Sequence, residues 1–161
     1  MKTTSLVFGR AFARSGDALF QCVRTMTAAA LMAILWAGPE AGAAVLSWSG
    51  GGTTAYWSDI GNWGYAGTPN SGDTLVFPAG QPRATNTNDL SSRVFNQIRF
   101  AGAGGGYAIY GQAFTVTNSI QATNIVGANA IYNDISLYMM EVTVNVASGA
   151  SLNLAGALSG T

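Results

Sequence analysis

Apolar and polar residues alternate with a period of two over much of the second half of the chain. Phe114, Val116 and Ile120 fall on one side of an extended segment whose other side is polar, and the runs 142–146 and 151–154 repeat the pattern with valines and leucines. This period is typical of a β-strand with one buried face. The sequence therefore predicts short strands and no long helix after residue 44.

Seven segments have strand-like composition, and glycine-containing turns separate them. Glycine accounts for 17 of residues 44–161, and it turns a chain at little steric cost. Even, short strands of this kind suit a sandwich, a barrel or a β-solenoid, in which each strand pairs with the one a coil above it. The runs are 75–77, 94–100, 107–110, 114–121, 131–138, 141–147 and 151–155.

Three asparagines share the phase of neighbouring apolar residues: Asn96, Asn118 and Asn133. A buried amide is costly unless it is hydrogen-bonded, and stacked coils would satisfy these side chains through contacts with one another or with the backbone. The alternative interpretation is that each asparagine marks a bend where a strand breaks. The sequence leaves both interpretations open.

The segment 46–78 differs from the rest because it concentrates aromatic residues among Gly, Ser, Asn and Pro. It contains Trp48, Trp57 and Trp63, together with two tyrosines. The first coil of a solenoid exposes an apolar cross-section and strand edges, which a bulky terminal segment covers. We therefore predict an N-terminal aromatic cap. The alternative is a sugar-binding surface in which Trp57, Trp63 and Tyr65 stack on sugar rings.

The N-terminus has the three regions of a secretory signal peptide in order. Four basic residues precede the apolar run 26–37, and small residues follow it up to Ala44. The run holds 12 residues, whereas a helix that spans a bilayer takes about 20. Ala41 and Ala43 fit the small-x-small rule, so we predict a signal peptide helix in 1–43 with cleavage before Ala44. An uncleaved anchor and a buried helix are the alternatives.

After cleavage the chain carries three arginines against four aspartates and one glutamate, a net charge of −2. Such a surface does not attract nucleic acid, so no nucleic-acid partner is predicted. Arg93 and Arg99 lie six residues apart and define no shared basic groove, so we interpret them as solvated charges on a strand edge. The one cysteine, Cys22, is removed with the signal peptide, and the mature chain can form no disulfide.

The composition excludes most catalytic chemistry. There is no histidine, and no lysine or cysteine follows residue 43, which excludes Ser-His-Asp and Cys-His catalysis, Schiff bases and zinc bound by His or Cys. No catalytic, cofactor-binding or metal-binding residue is predicted. A glycosidase needs two carboxyl groups, but no pattern pairs the five that follow residue 43, and turn capping accounts for Asp73 and Asp89. The five are Asp59, Asp73, Asp89, Asp134 and Glu141.

Several short motifs follow one another at a distinctive spacing. They are Trp57 with Asn62-Trp63, the run 68–77 (TPNSGDTLVF), Asn88-Asp89-Leu90, Ile98-Arg99-Phe100 and the run 107–111 (YAIYG). Together they resemble the N-terminal segments of autotransporter passenger proteins that carry autotransporter-associated β-strand repeats. The resemblance covers 46–161, and the end of the chain, 151–161, is similar to the lead-in to that family's Gly-, Thr- and Leu-rich repeat.

This resemblance implies a right-handed parallel β-helix displayed on, or released from, the outer membrane of a Gram-negative-type bacterium after passage through a C-terminal translocator barrel. The chain has no room for such a barrel, since even eight membrane strands of about 9–11 residues would fill most of it. We therefore expect a fragment, a truncated gene product or a short relative of such passengers, with an outer-membrane translocator encoded downstream or elsewhere.

We predict an all-β chain, namely a right-handed parallel β-helix (solenoid) segment with an N-terminal aromatic cap. Its regions are the signal peptide 1–43, the cap region 44–93 and the β-helix coils 94–161. The predicted function is that of a non-enzymatic structural or adhesive passenger segment, exported to the cell surface, the outer membrane or the medium. A small carbohydrate-binding module is the alternative, and a carboxylate-only glycan hydrolase is a more distant one. The expected partners are a surface glycan and a second copy, paired edge to edge through 152–160.

Overall fold

Short β-strands form almost all of the regular structure. The computed structural model describes residues 42–138 and 141–160, which fall within one compact unit. Residues 1–41 of the predicted signal peptide lie outside the described residues. No helix in these two ranges has the length and hydropathy needed to cross a bilayer. The elements are β1 (Val45–Ser47), the 3₁₀ helix η1 (Ile60–Trp63), β2 (Thr74–Pro78), β3 (Thr85–Asn88), β4 (Arg93–Ala101), β5 (Ala108–Gly111), β6 (Phe114–Ala122), β7 (Gly127–Ile131), β8 (Ile135–Leu137), β9 (Thr143–Val146), β10 (Ala150–Leu154) and β11 (Leu158–Gly160).

The described strands pair in parallel, each with the strand one coil later in the chain. One sheet has the order β1-β2-β4-β6-β8-β11, with β9 also beside β6, and the other has the order β10-β7-β5-β3. In the first sheet Leu75 is aligned with Ile98 and Ile98 with Ile120. The chain is therefore a β-solenoid of about 4 turns, and the predicted all-β solenoid is confirmed.

Apolar side chains of the same register stack inside the solenoid. Leu46, Leu75, Ile98 and Ile120 form one such column, and all four are buried. Each side chain covers the one below it, so the column removes apolar surface from water at every coil. Val144 continues the column but is 45% exposed. The hydrophobic core therefore thins out towards β9, β10 and β11.

A β-bulge changes which residues of β4 and β6 face inward. The register of the two strands shifts just after Phe95, which leaves Asn96 opposite two residues of β6, one of them Asn118. Asn96 is half-buried and donates to the hydroxyl of Thr74 at 3.0 Å, whereas Asn118 is exposed. The predicted inward phase is therefore wrong for these two asparagines, which mark a break in the alternation.

Asn133 is buried, as its apolar phase predicts, but it lies at a corner between strands. The predicted strand 131–138 is wrong as one element: it starts at the last residue of β7 (Gly127–Ile131), and after a turn it continues as β8 (Ile135–Leu137). Asn133 Nδ2 donates to the carbonyl oxygen of Gln112 in the preceding coil at 2.9 Å. The expected asparagine-to-backbone contact is confirmed for Nδ2, whereas Asn133 Oδ1 is buried without a hydrogen-bond partner among the described residues.

The same corner brings successive coils so close that only glycine fits. A Cβ atom added to Gly111 would lie 2.1 Å from the carbonyl oxygen of Asn88, and one added to Gly156 would lie 2.0 Å from that of Asn133. Both distances are far inside van der Waals contact. Asparagine in one coil and glycine in the next therefore form a repeated corner.

The predicted cap region 44–93 already supplies strands to both sheets. In the first sheet β1 pairs with β2 and β2 with β4, and in the second sheet β3 pairs with β5. The first coil of the solenoid thus lies inside the cap region, and the aromatic residues of that region pack within this coil.

Candidate functional site

The three residues predicted as sugar-stacking candidates lie between β1 and β2, and the structure separates them. Trp57 and Trp63 are 0% and 2% exposed, whereas Tyr65 is 76% exposed. The two indole rings meet edge to face, with their centroids 6.0 Å apart. The three side chains therefore form no common aromatic platform.

Trp57 lies at the centre of an aromatic cluster within the first coils. Its ring centroid is 5.8–6.1 Å from those of Trp63, Phe77, Phe95 and Phe114, in edge-to-face or tilted arrangements. Such pairs contribute beyond the burial of their area. The indole faces are occupied by the core, so a sugar could stack on them only if the core opened, and the predicted aromatic cap is confirmed.

Each indole N–H of the cap has an acceptor. Trp57 Nε1 donates to Asn86 Oδ1 at 2.7 Å, Trp63 Nε1 to the carbonyl of Trp57 at 2.9 Å, and Trp48 Nε1 to the carbonyl of Pro82 at 3.2 Å. Satisfied donors allow these large rings to be buried without the cost of an unpaired polar group. The hydrogen bonds also fix the orientation of the rings.

Tyr65 lies in the sharp turn after η1. Gly64 ends the helix at φ 61, and Tyr65 follows at φ 63, so two consecutive residues are in the left-handed region. Glycine takes this conformation readily, whereas a tyrosine rarely does. The turn places the ring of Tyr65 in solvent, where it is free to contact a partner.

Asp59 organises the loop that leads into η1. Its Oδ2 accepts hydrogen bonds from the backbone N–H groups of Thr53 and Thr54 at 2.8 and 2.9 Å, and from both threonine hydroxyls at 3.1 Å. Its Oδ1 accepts from the N–H of Gly61 at 3.1 Å. These hydrogen bonds, led by the one from the Thr54 backbone, lower the pKa of Asp59 from 3.8 to about 2. The carboxylate is fully engaged in holding the loop.

Three further aspartates also accept hydrogen bonds from backbone N–H groups, at 2.8–2.9 Å. The turn-capping role predicted for Asp73 is confirmed by its contact with the N–H group of Asn70. Asp89 instead accepts from Ser58, 31 residues away in the sequence, and so joins separate segments. The fifth acidic residue, Glu141, is exposed. The contacts are Asp73 with Ala44 and Asn70, Asp89 with Ser58, and Asp134 with Ala157.

The sequence patterns did not predict an exposed pair of stacked tyrosines. The rings of Tyr110 and Tyr132 are parallel within 2°, and their centroids are 4.4 Å apart. Desolvation, followed by the neighbouring phenol of Tyr132, raises the pKa of Tyr110. The preceding residues Ile109 and Ile131 are aligned in β5 and β7, so the tyrosines occupy equivalent positions in successive coils. Their spacing of one coil is the sequence signal that could have revealed them.

The tyrosine pair belongs to a longer outward column. Tyr110 is aligned with Thr87 in β3, and Thr87 in turn is bridged to Tyr56. Tyr56, Tyr110 and Tyr132 are all exposed. The second sheet therefore presents aromatic rings along the direction in which the coils stack.

An open groove of about 450 Å³ lies where β4, β6 and β8 begin. The described residues that line it include no carboxylate. Arg93 is half-buried there, and its Nε atom is buried without a hydrogen-bond partner in the described part of the chain. The interpretation of Arg93 as a solvated charge is therefore wrong for this part of its guanidinium. The polar lining residues are Ser91, Ser92, Arg93, Gln112, Thr115 and Ser136.

Buried amides fix the walls of the groove. Asn88 Nδ2 and Asn133 Nδ2, from the coils on either side, both donate to the carbonyl oxygen of Gln112 at 2.9 Å. Ser92 takes φ 54 and turns the chain sharply just before Arg93. Three coils are thus held together at this corner, and the groove is a shaped feature of the fold.

The described ranges hold no group of three or more His, Cys, Asp or Glu side chains placed to bind a metal ion. Comparisons with protein-family models, with curated proteins and with solved structures found no match. Two surface features therefore remain as candidate sites, the tyrosine column and the groove beside Arg93.

Proposed function

We propose that this chain is a structural and adhesive β-solenoid segment of an exported, autotransporter-like passenger, without enzymatic activity. The observation that carries the proposal is that the polar and apolar side chains described above serve to maintain the fold. Apolar columns and the aromatic cap maintain the solenoid, and four aspartates hold its turns. A solenoid of this kind presents a long side-chain surface to a partner.

Export is supported by the basic, apolar and small-residue regions that precede Ala44. Expressed with its own N-terminus in a Gram-negative host, the chain should appear in the envelope or the medium with Ala44 as its first residue, which intact-mass spectrometry would show. An Ala41→Lys, Ala43→Lys variant is the matched control, because it removes the small residues that cleavage requires. A full-length product that keeps Met1 in the cytoplasm would refute export.

The absence of enzymatic activity has its own test. Incubation of the purified chain with a panel of polysaccharides should release no reducing ends above the background of a heat-denatured sample. Release that disappears in an Asp59→Asn or Asp89→Asn variant with an unchanged circular dichroism spectrum would favour the glycan hydrolase instead.

The second candidate function is carbohydrate binding, which the exposed Tyr110 and Tyr132 pair favours. On a glycan array, a Tyr110→Ala, Tyr132→Ala variant should lose the binding of the unchanged chain, because stacked rings supply flat apolar surface for a sugar face. Tyr65→Ala is the matched control, since it removes an exposed tyrosine from a different surface. Tryptophan emission should remain blue-shifted and insensitive to ligand. Equal binding by the double variant and the unchanged chain would exclude the tyrosine column.

A further inference from the structure

The groove beside Arg93 combines an unpartnered cationic side chain with a lining of hydroxyl and amide groups. We propose that this groove binds an acidic sugar of the uronic acid type, with the Arg93 guanidinium contacting the carboxylate and the polar side chains contacting the sugar hydroxyls. The inference goes beyond the proposed function, because it concerns a groove distinct from the tyrosine column and does not depend on export.

Among the described residues, Arg93 is the only charged one in the groove lining. Arg93 Nε is buried without an acceptor within the described residues, so the chain itself does not pair this cation. A ligand would contact the exposed part of the half-buried side chain. A carboxylate matches the planar guanidinium, because its two oxygens can accept two parallel hydrogen bonds from one side of the fork. The side chain is therefore suited to an anionic ligand with a planar carboxylate.

Four of the five carboxylates in the described residues are used elsewhere. Asp59, Asp73, Asp89 and Asp134 each accept a hydrogen bond from a backbone N–H group. None of them lines the groove. A negative ligand would thus meet no like charge from the groove walls.

The remaining lining favours a sugar as the carrier of the carboxylate. Ser91, Ser92, Thr115 and Ser136 provide hydroxyls, and Gln112 provides an amide. These groups both donate and accept hydrogen bonds, as do the hydroxyls of a sugar. The volume of about 450 Å³ falls within the range of small-ligand sites, which is roughly 300–1,000 Å³. The groove therefore has both the polarity and the size for a uronic acid.

Arg99 provides an internal control in the same strand. Its Nε is also buried and unpartnered among the described residues. It lies further along β4, aligned with Val76 and Gln121, and it does not line the groove. A ligand that merely seeks any such arginine would affect both residues, whereas a ligand of the groove would affect Arg93 alone.

The test is a nuclear magnetic resonance titration of the purified ¹⁵N-labelled protein that follows the arginine Nε–H signals. The probe is D-glucuronate, and the controls are its neutral methyl ester and D-glucose. Glucuronate should shift the Arg93 signal in a saturable way and leave that of Arg99 in place, while the neutral sugars should give little or no shift. Equal shifts of Arg93 and Arg99, or equal effects of glucuronate and its ester, would overturn the proposal.

Two variants distinguish the loss of the Arg93 charge from a loss of folding. Arg93→Gln should weaken glucuronate binding by about tenfold to a hundredfold, as expected for loss of hydrogen bonds to a charged group. Arg99→Gln should leave the affinity unchanged. Each variant is compared with the unchanged chain by circular dichroism and thermal unfolding. If Arg93→Gln folds normally and binds glucuronate as tightly as the unchanged chain, the assignment of Arg93 is wrong.

A final arm identifies the source of the carboxylate. Triglutamate carries several carboxylates on a peptide, without sugar hydroxyls. Weaker binding of triglutamate than of glucuronate at equal ionic strength supports the acidic sugar. Equal or tighter binding of triglutamate would show that the groove takes an acidic peptide, and the sugar proposal would fall. Neither result bears on export, which the mass of the secreted chain tests separately.

Discussion

The two ends of the solenoid share one fold but reach very different degrees of burial. At the N-terminal end, Leu46 of the edge strand β1 is only 4% exposed. At the C-terminal end, Leu158 of β11 is 52% exposed, although it is aligned with the buried Ile135. The aromatic cluster around Trp57 packs within the first coil, and no such cluster covers the described part of the last coil. Burial of a terminal strand therefore depends on what packs over its coil. Strand pairing alone does not bury it.

The largest effect is expected when the cluster at the N-terminal end is broken. Trp57→Ala should lower the free energy of unfolding by about 3–5 kcal/mol, because it removes a buried ring with four aromatic neighbours. Leu158→Ala, at the opposite end, should change it by less than about 0.5 kcal/mol. Urea denaturation followed by circular dichroism measures both. Similar losses for the two variants would contradict the comparison of the ends.

A smaller effect is expected from a single hydrogen bond of the cap. Asn86→Ala leaves the buried indole N–H of Trp57 without its acceptor and should cost about 1–3 kcal/mol of unfolding free energy. Asn153→Ala is the matched control, since Asn153 is exposed in β10. The same denaturation measurement applies, and an equal cost at both positions would show that the hydrogen bond to Trp57 is unimportant.

At the C-terminal end, the expected change is in association rather than in stability. Leu158→Lys should alter the unfolding free energy by less than about 0.5 kcal/mol, but it should reduce edge-to-edge self-association, because a charge on an edge strand opposes pairing. Val45→Lys in the edge strand β1 is the comparison variant, and self-association through the C-terminal edge predicts that it has no such effect. Sedimentation velocity distinguishes the two.

Hydrogen exchange gives the same comparison without a mutation. Amides of β10 and β11 should exchange faster than those of β2 and β4, because exposed strands open at lower free energy. A single monomeric species with slow exchange through Leu154 would contradict the predicted self-association and the frayed C-terminal end.

The smallest effect is confined to acid conditions. The folded state lowers the pKa of Asp59 from 3.8 to about 2, so the ionised group stabilises the fold above pH 3.8 and this contribution is lost as the pH falls towards 2. Exchange of the loop amides at Thr53, Thr54 and Gly61 should therefore accelerate over that interval. In Asp59→Asn the acceleration over this interval should be absent. An identical acid response in the variant would assign the effect to another carboxyl group.

The sequence predicted the strands whose inward residues are apolar. Thr85–Asn88 was missed because its inward residues, Asn86 and Asn88, are polar although both are buried. Their partners are the indole of Trp57 and the carbonyl of Gln112, which are distant in sequence. Alternation of polarity cannot identify a strand whose buried amides are satisfied by tertiary contacts. The short end strands Val45–Ser47 and Leu158–Gly160 were missed as well, since three residues show no periodicity.

The candidate sites were harder to predict than the fold. Trp57 and Trp63 were weighed correctly as a cap, because large aromatic residues pack more often than they bind. The pairing of Tyr110 with Tyr132 depends on the coil length, and their spacing identifies a pair only once the register of β5 and β7 is known. The bulge after Phe95 also shifts the phase of β4, so alternation along the sequence could not place Arg93 at the groove and Arg99 away from it.

The parallel pairing of each strand with the next coil has a consequence for how the chain folds. Leu75 meets Ile98 and Ile98 meets Ile120, so each new coil closes a loop of similar, modest length. The entropy of loop closure grows only with the logarithm of loop length, by about 0.6 kcal/mol for each doubling. Successive coils therefore face nearly equal entropic barriers, and only the first must form without a folded neighbour. We expect the nucleus to form where aromatic contacts are densest, around Trp57, and the remaining coils to add in chain order.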